Sequence, residues 1–179
     1  MKGKVLFEEV QTFRYTWSWY LLIAVFCPIV GLFGKGLYTQ LIISEPWGGR
    51  PMSDSTLIIT SVIIFAILLG IFILLHLHEL VLQVDEGSIR YKFFPYFSNY
   101  KTLEKSDVKE VVVRKYNAIL EFGGWGHRRT FSGNRAYNIK GSWGLQIVFQ
   151  NGKKLLIGTQ QPKELNGAID KLKENWQMQ

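Results

Sequence analysis

The chain has 179 residues, 47% of them hydrophobic, and a formal charge of +7. That length holds one modest soluble domain, and the bulk composition stays close to the globular average. A single cysteine, Cys27, excludes an intrachain disulfide and a thiolate metal cluster.

The distribution of residues says more than their totals. From His78 onward lie 16 of the 21 Lys and Arg and 10 of the 14 acidic residues, a net +6, whereas most of the longest apolar runs precede His76. A basic domain beside a membrane suits an anionic cytoplasmic leaflet. The same charge also describes an ordinary solvated surface.

The first apolar run is Trp17 to Phe33, WSWYLLIAVFCPIVGLF. Its length is near the minimum for crossing the hydrocarbon layer, and it extends past Gly34-Lys35-Gly36 toward residue 43 if the helix continues. Trp17, Trp19 and Tyr20 are the aromatic residues expected at a membrane–water boundary. Pro28 predicts a kink. Glu8 and Glu9 ahead of the run, and the lack of a small-x-small site after it, argue for a retained anchor over a cleaved signal peptide.

The second run, Leu57 to Leu75, has no charged residue, which predicts a spanning helix over about 57–77. Ser53, Asp54 and Ser55 offer an N-cap just before it. The short Pro-, Gly- and Ser-rich connector, Ser44 to Thr56, favours an antiparallel hairpin. Lys2, Lys4 and Arg14 flank the first span, Arg90 and Lys92 follow the second, and the connector holds Arg50 alone. That bias predicts a multi-pass protein with both termini in the cytoplasm.

After Glu79 the period changes from helical to two. Leu80–Val84 and Ile89–Phe93 read as strands around the tight turn Asp85-Glu86-Gly87. Tyr96–Leu103 and Val108–Tyr116 read as further strands, the latter carrying Val111, Val112 and Val113. Residues 122–140 are glycine-rich and aromatic, with short strands expected near Phe131 and Tyr137. Leu145–Phe149 and Lys154–Gly158 flank Asn151-Gly152, a strong hairpin signal. Pro162 then opens a helix with Leu165, Ala168, Ile169, Leu172 and Trp176 along one face. The expectation is α+β: a transmembrane hairpin over residues 1–78, then residues 79–179 as a small β-barrel of about seven strands capped by a C-terminal helix.

Four stretches carry the resemblance to a known family. They are Phe122-Gly123-Gly124-Trp125-Gly126-His127-Arg128, Ala136-Tyr137-Asn138-Ile139-Lys140-Gly141, and Gly144-Leu145-Gln146-Ile147 with the run Leu156 to Leu165. In their order they resemble bacterial membrane-anchored proteins in which two transmembrane helices precede a PH-like domain. The resemblance implies an inner-membrane location and a PH-like fold. It implies little about function, because one fold hosts many activities. Phosphoinositide capture needs Lys or Arg in the first hairpin loop, and the loop Asp85-Glu86-Gly87 is acidic and short.

Three features invite a functional reading. His76-Leu77-His78-Glu79 sits where the second span meets the headgroups; with no third ligand in sight it reads as the polar end of an apolar run, and no metal is expected. Gly123-Gly124-Trp125-Gly126 lacks the Lys-Ser/Thr and strand–helix setting of a nucleotide loop. The residues after it, with Trp125, His127, Arg128, Arg129, Arg135 and Tyr137, form the densest basic and aromatic stretch. That stretch is a solvated loop, a protein or peptide contact, or a surface for anionic lipid headgroups. No pattern of nucleophile, base and orienting group is present, so neither an enzyme nor a cofactor is expected, and no nucleic-acid motif is present either. The expected role is a non-enzymatic membrane protein whose cytoplasmic domain binds a protein, a peptide or its own neighbours, with the bilayer as its other partner. A peptide would lie near Val111–Lys115 and the helix from Pro162. A sensor of anionic lipid acting through Arg128, Arg129 and Arg135 is the alternative.

Overall fold

The structure, a computed structural model, describes residues 4–14 and 16–178. The chain forms two compact units: residues 14–76, and the residues up to Phe13 together with those from Leu77 on.

In the first unit, α1 (Trp17–Leu37) passes directly into a π-helical stretch, Tyr38–Ile42. The helical backbone thus continues through Gly34-Lys35-Gly36 and ends at the far limit of the expected range. α2 (Asp54–Leu77) has 24 residues. At 1.5 Å per residue it is about 36 Å long, enough for a hydrocarbon layer of about 30 Å. Both helices are long and apolar enough to cross a membrane. α2 starts three residues before the apolar run because Ser53 caps it, its Oγ accepting from the Thr56 N–H at 3.4 Å. The Trp19 ring lies 4.8 Å from Phe72 and 6.0 Å from His76, so the start of α1 meets the end of α2 and the pair is antiparallel. The connector is folded back: Gln40 Nε2 donates to Met52 O and to Asp54 Oδ1, and Trp47 covers Gly36. A Cβ at Gly36 would stand 2.6 Å from the indole, so only glycine fits beneath it. Lys2, one of the flanking cations, lies outside the described residues.

The second unit is β-rich, as the change of period predicts, but one strand precedes the helices. β1 (Val5–Thr12) pairs antiparallel with β2 (Glu79–Asp85), Thr12 opposite Glu79. The two apolar helices are therefore inserted in the connection between the first two strands of the sheet. β3 (Ile89–Phe94) and β4 (Phe97–Leu103) complete a sheet of order β1-β2-β3-β4. The turn Asp85-Glu86-Gly87 is thus the second connection of this sheet, not the first. Asp85 Oδ1 closes it by accepting from the Gly87 and Ser88 N–H groups.

A second sheet has the order β5-β8-β9-β7-β6, from β5 (Val108–Lys115), β6 (Gly126–Arg129), β7 (Arg135–Asn138), β8 (Trp143–Phe149) and β9 (Lys154–Thr159). The expected closed barrel is instead two separate sheets with nine strands among the described residues, since no ladder joins an edge of one to the other. One short element was not anticipated, and one expected strand is absent. Residues 118–122 form a helical turn, α3 (Ala118–Phe122), capped by Asn117 and closed by Gly123 at φ +71°. Phe131 is not in a strand; it sits at the tip of the β6–β7 hairpin.

The helix α4 (Pro162–Trp176) buries Leu165, Ala168, Ile169, Leu172 and Trp176, the face that its spacing predicts. These side chains join one apolar cluster with Phe7, Leu80, Leu82, Phe93, Val111, Ile147 and Ile157, drawn from both sheets. Strand alternation sends Leu156 and Ala136 to the opposite face of the second sheet. There they pack with Tyr116, Ala118, Phe122 and Trp125 in a second cluster.

β1 is tied down by polar groups. The buried Glu9 carboxylate accepts from the Thr159 hydroxyl at 2.6 Å and from the Gln160 N–H at 2.7 Å, and Gln11 Nε2 donates to Gly158 O at 2.7 Å. Burial pushes the Glu9 carboxyl above its ordinary range, against the opposing pull of those two donors and Lys140. The folded state therefore binds this proton more tightly than the unfolded chain does. The contribution to stability is complete below the unfolded value and is lost as pH rises through the folded one. Replacing Glu9 by Gln keeps polar partners without a buried charge, so Glu9→Gln is expected to match or exceed the parent in stability at neutral pH, with the gap closing in acid. Glu9→Ala removes the acceptor for both donors and costs about 1–3 kcal/mol. Urea melts of the three proteins at pH 4 and pH 7.5 measure both effects.

Candidate functional site

The six residues singled out from sequence lie on one segment, the excursion between β5 and β8, but they do not form one site. Trp125 packs against the outer cluster of the second sheet. Arg128 folds back on its own loop, its Nε donating to Trp125 O at 2.8 Å. Its guanidinium lies against Gly124, whose φ of +123° and missing Cβ make room for it. His127 is packed between Tyr96, edge to face at 4.8 Å, and Tyr137, tilted at 5.0 Å. Burial is the main cause that lowers its pKa, followed by the charges of Arg135 and Lys101.

The remaining three come together. Arg129 and Arg135 are directly opposite each other in the β6–β7 register, and both line a cleft of about 240 Å³ with Tyr137. Its other lining residues include three polar ones not singled out as site residues from sequence, Tyr91 on β3, and Lys153 and Lys154 after the Asn151-Gly152 turn. The signal for the lysines was present, since a two-residue hairpin turn must place the next residues at a sheet end. Nothing local in the sequence tells that β9 runs parallel beside β7 and brings them to Arg135.

A larger cleft of about 690 Å³ lies on the outer face of the second sheet. Its floor is Gln146 and Val148 of β8, and its walls are Glu110 and Arg114 of β5, Glu121 and Phe122 of α3, and Thr130, Ser132 and Asn134 at the hairpin tip. Arg114 crosses this floor. It donates to Gln146 Oε1 and forms a salt bridge with Glu121, N to O 2.6 Å. That arginine is the main cause holding the Glu121 carboxyl below its usual range. Asn117 and Glu121 cap α3 reciprocally: the Asn117 side chain accepts from the Ile119 and Leu120 N–H groups, and Glu121 accepts from the Asn117 N–H.

Two of the elements that wall this cleft, α3 and the hairpin tip, also carry exposed apolar side chains. Ile119 and Leu120 on α3 are 60% and 84% exposed, and Phe131 at the hairpin tip is fully exposed. Among the exposed large apolar side chains of the β-rich unit, these three stand furthest into solvent. β5 is an edge strand, so the cleft opens sideways along it, and α4 lies beside the same strand. Among the described residues, no group of three or more His, Cys, Asp or Glu is placed to hold a metal.

No family model matches this chain, and no curated protein matches it.

Proposed function

We propose that the chain is a non-enzymatic bacterial inner-membrane protein that presents a cytoplasmic PH-like domain to a protein partner, which docks an extended segment in the cleft of α3, β5 and the β6–β7 hairpin. With the inserted β6–β7 hairpin set aside, seven strands and a C-terminal helix remain, which is the set that the PH-like reading requires. The membrane location rests on the two apolar helices, and the cytoplasmic side on the cations that flank them.

One observation carries the docking site: Ile119, Leu120 and Phe131, the most exposed large apolar groups of the β-rich unit, stand on α3 and the hairpin tip, two of the elements that wall a single cleft. Large apolar groups left in solvent on the walls of a cleft suit an interaction surface. The charge of the cleft is mixed, with Glu110 and Glu121 facing Arg114 and Lys154. Two carboxylates would repel anionic headgroups, whereas a peptide with both signs is complementary. The free edge of β5 adds backbone donors and acceptors for an extended chain.

A photoreactive amino acid at position 120 or 131, introduced in native membranes, tests the reading. The expected result is a discrete protein adduct, with a distinct chain or a second copy, that Glu110→Arg together with Glu121→Arg abolishes. A control at Val10, which is exposed on β1, is expected to give no such adduct. Lipid adducts alone, or the same pattern from position 10, would refute a protein contact here.

A further inference from the structure

The smaller cleft has a different chemistry. Arg129, Arg135, Lys153 and Lys154 line it, no carboxylate does, and none of the four makes a salt bridge within the described residues. Arg129 and Arg135 are cross-strand partners, and like charges in that position destabilise a sheet. The backbone nevertheless holds them close. The Lys154 N–H donates to Asn134 Oδ1 at 2.9 Å, tying the hairpin tip to β9. The turns on either side bend at Gly133 and Gly152, whose φ values of +82° and +77° suit glycine.

Below the cations lie two buried tyrosines. Tyr91 and Tyr137 are 5% and 1% exposed, with ring centroids 5.7 Å apart. Neither hydroxyl has a hydrogen-bond partner among the described residues. Burial keeps the Tyr91 hydroxyl protonated well above its ordinary range, so it remains a donor. Four cations and two phenolic donors around one opening form a site that lacks its counter-charge.

We propose that this cleft binds a small phosphate-bearing anion, its phosphate held by Arg129, Arg135, Lys153 and Lys154 and its remaining oxygens reached by the Tyr91 and Tyr137 hydroxyls. A phosphate offers more charge and more acceptor oxygens than a carboxylate, and paired arginines match its geometry. A volume of about 240 Å³ is near that of eight waters, room for a phosphate and a short organic group. A phospholipid headgroup and a soluble phosphate monoester share that chemistry. The proposal does not rest on the docking reading above; the two clefts share only Lys154.

The full chain in phosphatidylcholine nanodiscs is titrated calorimetrically with glycerol 3-phosphate and, separately, with a short-chain phosphatidylglycerol. Saturable binding of one probe is expected, weakened about tenfold or more by Arg135→Gln and by Lys153→Gln, each removing one charge-assisted contact. Lys171→Gln, on the exposed side of α4, is expected to leave it unchanged. Binding of glycerol 3-phosphate assigns the site to a soluble ester, and binding of the lipid alone assigns it to a headgroup. The two glutamine variants lie on separate elements, and each is required to melt at the parent midpoint before its titration is compared. No saturable binding of either probe overturns the proposal, and so does binding that survives both glutamine substitutions.

Discussion

Replacing residues 14–77 by a two-residue Asn-Gly turn is expected to yield a water-soluble protein that unfolds in one cooperative transition, whereas the fragment beginning at Leu77 does not fold. The reason is the placement of β1. Thr12 and Glu79 are neighbours across the ladder, so a tight turn can close the β1–β2 hairpin once the helices are removed. The fragment from Leu77 lacks the whole of β1. It would expose the apolar surface that Phe7 covers and leave the Thr159 hydroxyl, the Gln160 N–H and Gly158 O without their partners from Glu9 and Gln11. Burial of one large apolar side chain contributes about 1.5–3 kcal/mol, and each orphaned buried group costs about 1–3 kcal/mol. A loss of roughly 5 kcal/mol or more is comparable to the whole stability of many domains. Urea titration followed by far-UV circular dichroism distinguishes a sigmoidal transition from the shallow drift of an unfolded chain. A cooperative transition from the Leu77 fragment would show that β1 is dispensable.

The second large effect is expected at Phe93. Its ring is fully buried and meets Tyr96 at 5.1 Å, with Tyr137 and His78 at 5.9 Å. These rings connect β3, the β3–β4 turn and β7, and so join the first sheet to the second. Phe93→Ala deletes the centre of that cluster, and the rigid neighbours cannot collapse into the space, which puts the cost at about 3–5 kcal/mol. Phe93→Leu keeps most of the volume and is expected to cost less than about 2 kcal/mol. Denaturation of both variants in the soluble turn-closed protein measures the difference. The same substitutions also separate the two clefts. Phe93→Ala is expected to disturb the smaller one through Tyr137, while α3 and the larger cleft, which pack on the other face, keep their geometry.

Part of the candidate site was legible without coordinates. The basic and aromatic stretch from Trp125 to Tyr137 stands out by composition, and it does project the exposed hairpin. Its division into a folded-back Arg128, an aromatic-packed His127 and a paired Arg129 and Arg135 was not legible. Those fates depend on strand register and on glycine conformation at Gly124, which no composition encodes. Ile119 and Leu120 were overlooked for a local reason. Five residues of helix give no periodicity to read, and the one signal available was Asn117 with Glu121 as a reciprocal cap.

By itself the sequence determined the two apolar helices, the switch from helical to alternating period after Glu79, the Asn151-Gly152 hairpin and the buried face of α4. Each of these is written in consecutive residues: an uncharged run, a period of two, a turn dipeptide, a helical stripe. The tertiary structure alone decided that β1 belongs to the first sheet. Two of its three inward positions, Glu9 and Gln11, are polar, so the alternation that marks a strand is missing there. They are buried only because Thr159, Gln160 and Gly158, about 150 residues away in the chain, supply hydrogen bonds. The same long-range pairing puts the apolar helices inside a hairpin instead of ahead of a domain, and sets Lys153 and Lys154 beside Arg135 across a parallel ladder. Local propensity specifies elements; partners distant in the chain specify which faces meet and which charges converge.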